Sequence, residues 1–512
     1  MKKRTTKLLI GFVAAALSIV AIVVVTLLLV SDNTLKIASI NCDTVTMNAA
    51  YNAENKTLST SQTINYKNRA GVPLNEVKFH IYANAYREDA ENPPVEDDEV
   101  PQAYPNGKNF GGITIEKTAV NGIETTFQTQ GEDDTILYVP LGKPLEAGKN
   151  VKIDIDYVVT LANIKHRLGW TDDAVNLANF YPVPCIFENG DWQTYPYSAS
   201  GDPFYNALNN YNVTITVPSN LTVASSGTLI KETNNGGQKT VILKSSAIRD
   251  FALVLSNKFK VISQKYKGAV IKYFYIYDDT PKASLETAVS AVTTFSKIYT
   301  KYPYKQLSVV QTDFLHGGME YGELVYISSD LLNPTGEDKQ PDREQHNYVI
   351  VHEIAHQWWY GMIGNNQSAS AWIDEGLAEY STLLFYERNP QYNVDRNTIV
   401  ENAQRNYSAY IRLVRDVGAE LNTSMDRELM DFNTSYEYVF MTYIRGLLLF
   451  CDLEKILPSG ILVSALGDYC NQNKFSFATK ESLVSSLEKT SGAKLGLFFD
   501  SYLSGWDGIL NQ

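Results

Sequence analysis

His352 and His356 stand four residues apart in the run His352-Glu353-Ile354-Ala355-His356, and Glu375 follows inside Trp372-Ile373-Asp374-Glu375-Gly376. On a helix, residues i and i+4 share one face, so the two imidazoles can share a metal ion. Two imidazoles and one carboxylate form a three-ligand site with its fourth position open, as hydrolysis requires, whereas closed structural sites usually employ cysteine. Ligand type points to zinc, one per chain. Bound zinc lowers the pKa of its water to about 7, and Glu353, beside His352 but not a ligand, is placed to take the proton. His-Glu-x-x-His alone fits two buried, hydrogen-bonded histidines equally well; Glu375 turns the balance toward a metallohydrolase. Glu379, one turn past Glu375, can orient a ligand histidine or be an ordinary exposed glutamate.

Two helices must position these groups. The first is expected after Pro341-Asp342, with Gln345 in the capping-box position and an apolar stripe of Val349, Ile350, Ile354 and Trp358 before Gly361. The second is expected to start at Ser368 or Ser370 and run through Leu377, Tyr380 and Leu384 to Asn389-Pro390. Gly361 and Gly364-Asn365-Asn366 let the chain reverse between them. Upstream, His316-Gly317-Gly318-Met319-Glu320-Tyr321 separates expected strands over 307–314 and 324–327, and Gly317-Gly318 reads as a turn or bulge.

A Gly-x-Met-Glu segment ahead of His-Glu-x-x-His, with a glutamate beyond it, resembles the aminopeptidase N family of gluzincin metallopeptidases, which includes leukotriene hydrolase. The resemblance implies that Glu320 accepts the free α-ammonium of a peptide. It also implies that the strand formed by Gly317, Gly318 and Met319 aligns the substrate beside the metal. One fixed carboxylate there pairs with a terminal ammonium and disfavours internal peptide segments, which makes the chemistry exopeptidase. The family more often has asparagine where this chain has Tyr321. It also uses a tyrosine to hydrogen-bond the oxyanion; Thr442-Tyr443-Ile444-Arg445-Gly446 matches best, with Arg445 for the usual lysine, and Tyr443 is the expected donor. Tyr436 and Tyr438 lie close by among 33 tyrosines. The likeness extends over 176–227, which resembles the amino-terminal β-domain of short bacterial-type members, and to the tail 497–505.

Leu8 to Val30 carries no charge and follows Lys2, Lys3, Arg4 and Lys7. About 20 apolar residues cross a bilayer, so a retained signal anchor is expected over 8–30. The basic flank 1–7 then stays cytoplasmic, and residues after Ser31 face the exterior. A net charge of −13 argues against a nucleic-acid partner. Cys42, Cys185, Cys451 and Cys470 are too few for a disulfide framework. Cys451 with Cys470 is the one pair worth considering as a bridge, free buried thiols being the alternative. Val151, Ile153, Ile155 and Tyr157 alternate with polar residues, as do Val213, Ile215 and Val217, so 31–259 reads as a β-sandwich-like domain. Residues 260–512 read as an α+β catalytic domain, thermolysin-like by the resemblance. The acidic, proline-containing segment from Asp89 to Pro105 reads as a surface loop. The expectation is a membrane-anchored zinc aminopeptidase acting on peptides with a free N-terminus. Its rivals are an endopeptidase or other hydrolase on the same site, and a non-catalytic peptide-binding ectodomain.

Overall fold

Alternation becomes structure in the strand Asn150–Thr160, where Val151, Ile153, Ile155, Tyr157 and Val159 are buried and the residues between them are not. The computed structural model describes residues 40–334 and 340–505. The expected span at 8–30 lies outside these residues, and among them no helix is long and apolar enough to cross a membrane. From Asp43 onward the chain clusters as one unit. Its first half is β-rich. An eight-stranded sheet runs in the order Thr228–Asn235, Gln238–Ile248, Asn209–Pro218, Asp43–Asn52, Thr57–Lys67, Asn150–Thr160, Gly112–Val120, Ile123–Thr125. Two four-stranded sheets accompany it, one of them ending the first half at Leu253–Ser256.

Lys260–Tyr266 opens a different, five-stranded sheet that continues through Ala269–Tyr275, Gln306–Thr312, Leu324–Ser328 and, at its edge, Gly318–Met319. The edge strand runs antiparallel, with Gly318 opposite Ile327 and Met319 opposite Tyr326. Helices α1 (Pro281–Ile298) and α2 (Arg343–Ala355) pack on this sheet, and α3 (Trp372–Arg388), α4 (Arg396–Asp416) and α5 (Arg445–Ile456) pack in turn on the helices. They are followed by α6 (Ile461–Asn473), α7 (Lys480–Ser491) and α8 (Gly496–Leu503). The architecture is mixed α+β, β-rich first and helical after.

Asp342 caps α2, its carboxylate accepting from the Gln345 N–H at 2.8 Å. The helix stops at Ala355, short of the expected Gly361. There the Gly361 N–H turns back to the His356 carbonyl at 2.9 Å, and Tyr360 takes φ +83°. His356 keeps helical angles, so the four-residue spacing of the imidazoles survives. α3 starts at Trp372, after a separate turn at Gln367–Ser370, and neither Ser368 nor Ser370 caps it; it ends before Asn389 as expected. The 89–105 segment is more than a surface loop. Glu96 Oε1 accepts from the Ser435 N–H at 2.8 Å and the Ser200 hydroxyl at 2.9 Å, tying it to the helical half. Cys451 and Cys470 are separate, buried free thiols.

Candidate active site

α2 and α3 bring three ligand atoms to one point. His352 Nε2 and His356 Nε2 each lie 3.3 Å from Glu375 Oε2, and the two nitrogens are 3.1 Å apart. Atoms bound tetrahedrally at about 2.0–2.1 Å from zinc are about 3.3 Å from one another, so this donor set fits the ion. Each imidazole is held from behind: His352 Nδ1 is 3.0 Å from Glu379 Oε1, and His356 Nδ1–H donates to the Trp359 carbonyl at 3.2 Å. Carboxylates and carbonyls only accept, so both protons sit on Nδ1 and both Nε2 lone pairs face the ion. Glu379 is thus an orienting partner, and the Tyr348 hydroxyl donates to its other oxygen. Burial pushes the Glu375 carboxyl up, but the two imidazoles outweigh it and hold it at about 2.

Glu353 projects from α2 toward the edge strand. A Cβ on Gly318 would sit 2.4 Å from Glu353 Oε1, and one on Gly317 would sit 3.3 Å from Val349 Cγ2. Gly317 lies in the expected bend and Gly318 within the edge strand, and both serve the close approach of strand to helix. Burial raises the Glu353 carboxyl to about 7, against the pull of His352 and His356, which suits a general base near neutrality.

Tyr443 lies in a π-helical turn, Phe440–Ile444, that leads into α5. Its hydroxyl donates to Glu375 Oε1 at 2.7 Å and its ring stacks on His352 with centroids 5.7 Å apart. Tyr436 is exposed, while the buried Tyr438 ring packs against Gly201. Arg445 is wholly buried, donates to the Tyr502 carbonyl at 2.8 Å and lies over the Tyr407 ring, so it anchors α5 to α4 and α8. What lets Tyr443 reach Glu375 is a glycine crossing: a Cβ on Gly446 would meet Gly376 Cα at 2.8 Å. Gly446→Ala is expected to cost about 1–3 kcal/mol in a thermal melt, because the two helix backbones must separate. It should also lower turnover as the tyrosine withdraws. Tyr443→Phe, by contrast, should lower kcat by about two to three decades with the melting temperature unchanged.

Glu320 follows the edge strand and is buried. One oxygen each of Glu320 and Glu353 and one nitrogen of His356 lie within 4.8 Å of one another. Gln367 Nε2 donates to Glu320 Oε1 at 2.8 Å and to Asp374 Oδ2 at 2.7 Å, and Asn365 Nδ2 donates to Asp374 Oδ1 at 2.7 Å. From the β-rich half, buried Arg167 pairs with Asp202 at 2.5 Å and donates to the Met319 sulfur at 3.4 Å. The Met319 side chain is thereby held against the β-rich half. Tyr321 is a packing residue, edge-on to Tyr326 at 5.1 Å, and its carbonyl accepts from Gln357 Nε2 at 3.0 Å. Arg249, also from the β-rich half, donates to the carbonyls of Tyr360 at 2.6 Å and of Asn206 and Ser476 at 2.9 Å each, fixing the reversal after α2. Sequence reasoning missed Gln367, Asp202, Arg167 and Arg249. Asp202 stands in the Gly201-Asp-Pro-Phe-Tyr205 run of the 176–227 stretch that carries the resemblance, and for the others the available signal was only their polarity amid apolar neighbours.

Residues 283–502 match the model described as the peptidase family M1 domain. Aminopeptidase M1-B of Oryza sativa subsp. japonica is 24% identical over 401 residues, which cover 74% of this chain and 44% of that protein. The puromycin-sensitive aminopeptidase of Caenorhabditis elegans is 22% identical over 324 residues, 61% of this chain and 33% of that one. The chain spans less than half the length of these curated relatives. Among solved structures, the M1 zinc metallopeptidase of Deinococcus radiodurans shares the fold with a TM-score of 0.61 at 16% identity, over 90% of this chain and 92% of that one. A zinc-fitting donor set on α2 and α3, a glutamate at the end of the edge strand and a match across the helical half lead to one assignment: residues 283–502 form a domain similar to the peptidase family M1 domain.

Proposed function

We propose that the chain is a zinc aminopeptidase that removes residues from the free N-terminus of peptides. The observation that carries this reading is the place of Glu320: a buried carboxylate within 4.8 Å of both the Glu353 base and the ligand His356. A charge so close to the reacting centre accommodates an α-ammonium and only one residue between it and the scissile bond. His352, His356 and Glu375 would hold zinc, which supplies a Lewis acid for the scissile carbonyl and lowers the pKa of water. Glu353 takes the proton of the attacking water and returns it to the leaving amine. Tyr443 turns its hydroxyl from Glu375 to the developing oxyanion. The main chain of Gly318 and Met319 offers an unpaired strand edge along which the peptide aligns. A mutant of the Deinococcus enzyme has been solved with a Tyr-Ser-Ala substrate, which supports a peptide here. The uncharged 8–30 segment and its basic flank support a single-pass anchor with residues after Ser31 outside the cytoplasm.

Hydrolysis of a panel of aminoacyl chromogenic amides, each also N-acetylated, tests this reading. Only the free-amine members should be cleaved. Comparable cleavage of acetylated substrates would move the assignment to an endopeptidase.

A further inference from the structure

His346 lies on α2, six residues before the first metal ligand, and has no exposed surface. It fills a joint between α2, α1 and the strand Ala269–Tyr275. Asp278, just before α1, accepts there from four donors: the Tyr273 hydroxyl at 2.9 Å, the Ser284 hydroxyl at 2.5 Å, and the Thr280 N–H and Arg343 Nη1 at 2.8 Å each. His346 Nε2 stands 3.2 Å from the same Tyr273 oxygen and 3.4 Å from the same Ser284 oxygen. A hydroxyl has one proton to give, and both give theirs to the nearer, charged carboxylate. Nε2 must therefore carry the imidazole proton and donate it to these oxygens. That leaves Nδ1 as a bare acceptor, buried and with no hydrogen-bond partner among the described residues. A second proton would go to Nδ1, where nothing stands to accept from it.

Charge leads to the same end. Asp278, Arg343 and Tyr273 are the charged and titratable groups that face the ring, and Arg343 already pairs with Asp278. Burial lowers the imidazole to about 4; Asp278 pulls it up and Arg343 pushes it further down. An exposed histidine titrates at 6.5, so the unfolded chain takes up this proton first as pH falls. The stability that a neutral His346 provides is whole above pH 6.5 and is lost on the way down to about 4.

We propose that His346 is an acid-sensitive latch on the helix that carries the metal ligands: a proton on Nδ1 releases α2 from α1 and switches the site off. The release reaches the metal through Tyr348, two positions on, which donates to Glu379, the carboxylate that holds His352. A ligand histidine without its orienting partner binds metal about 10- to 100-fold more weakly. The latch acts on the metal site whichever peptide bond that site cleaves.

His346→Gln tests this, because its amide keeps a neutral N–H donor for the two hydroxyl oxygens and takes up no proton. Each protein is held at pH 5 or pH 7.5 and then assayed at pH 7.5 on an aminoacyl chromogenic amide. The ratio of the inactivation rate at pH 5 to that at pH 7.5 should be about 30-fold larger in the wild type than in the variant. Protonation of the metal ligands is common to both proteins and cancels in the comparison. Amide hydrogen exchange over 343–351, corrected for intrinsic rates, reads the opening without turnover: protection at pH 5 should fall about 30-fold in the wild type and hold in the variant. Equal ratios in the two proteins overturn the proposal. So does a variant weakened to the same extent at both pH values, which marks a packing role alone. If the variant does not fold, nitrogen NMR of the wild-type histidines decides. An Nε2–H tautomer that stays neutral at pH 5 supports the latch, and an Nδ1–H tautomer or protonation near pH 6.5 refutes it. Failure of the aminopeptidase reading is distinct, since the exchange and NMR results stand without any substrate.

Discussion

Glu353→Gln is expected to lower kcat by about two to four decades while zinc content and KM for an aminoacyl amide barely change. The carboxylate of Glu353 stands outside the triad of metal ligands and lies against Gly318, where an amide of the same shape also fits. Folding should not suffer. The wild-type carboxyl is raised to about 7 by burial, so a neutral replacement removes a desolvation cost rather than a favourable contact. Single-turnover kinetics with metal determination on the same sample checks the result. If kcat falls together with zinc, Glu353 acts through the metal site and not as the base.

His356→Ala should abolish both zinc retention and turnover. Losing the orienting partner of a ligand typically costs about 10- to 100-fold in metal affinity, and losing the ligand itself costs more. The vacated position has no substitute, because the other nitrogen and carboxylate oxygens are fixed by Glu379, Tyr443 and α3. Glu379→Gln should fall between, with affinity down about 10- to 100-fold and kcat of the fully loaded protein close to wild type. Competition with a chelating dye measures each affinity. A thermal melt gives an independent reading, since zinc at 1,000 times its dissociation constant stabilises the native state by about 4 kcal/mol. That increment should vanish in His356→Ala. Full zinc binding by this variant would remove His356 from the ligand set.

The residues nearest the chemistry were legible because local spacing fixes them. His352 and His356 need only one helix, and Asp342 announced where it begins; Trp372 to Gly376 supplied the third ligand in the first turn of the next. The end of α2 was not legible. Its apolar stripe continues to Trp358, but the Gly361 N–H captures the His356 carbonyl and turns the chain first. Gly317-Gly318 was visible as a pair, with Gly317 in the bend and Gly318 opening the edge strand, but the need for close approach was not, because Glu353 and Val349 arrive from another element. Choosing Tyr443 over Tyr438 required the resemblance, because no periodicity announces a π turn. Gln367 and Glu320 are 47 positions apart, Arg249 and Tyr360 are 111. A hydrogen bond across such a distance leaves no trace in one sequence.

Arg249 has a consequence for how this protein can be divided. Its guanidinium joins carbonyls from the β-rich half, from the turn after α2 and from the segment between α6 and α7, and it occupies the space a side chain on Gly364 would fill, with Cζ 2.1 Å from that imagined Cβ. The stretch matching the family model begins at residue 283, so a fragment cut there leaves the rivet behind. The turn after α2 would then expose the Tyr360 and Ser476 carbonyls that Arg249 pairs in this protein. A transplanted helical half of this protein must therefore bring Arg249 with Gly364, as a lock travels with its key.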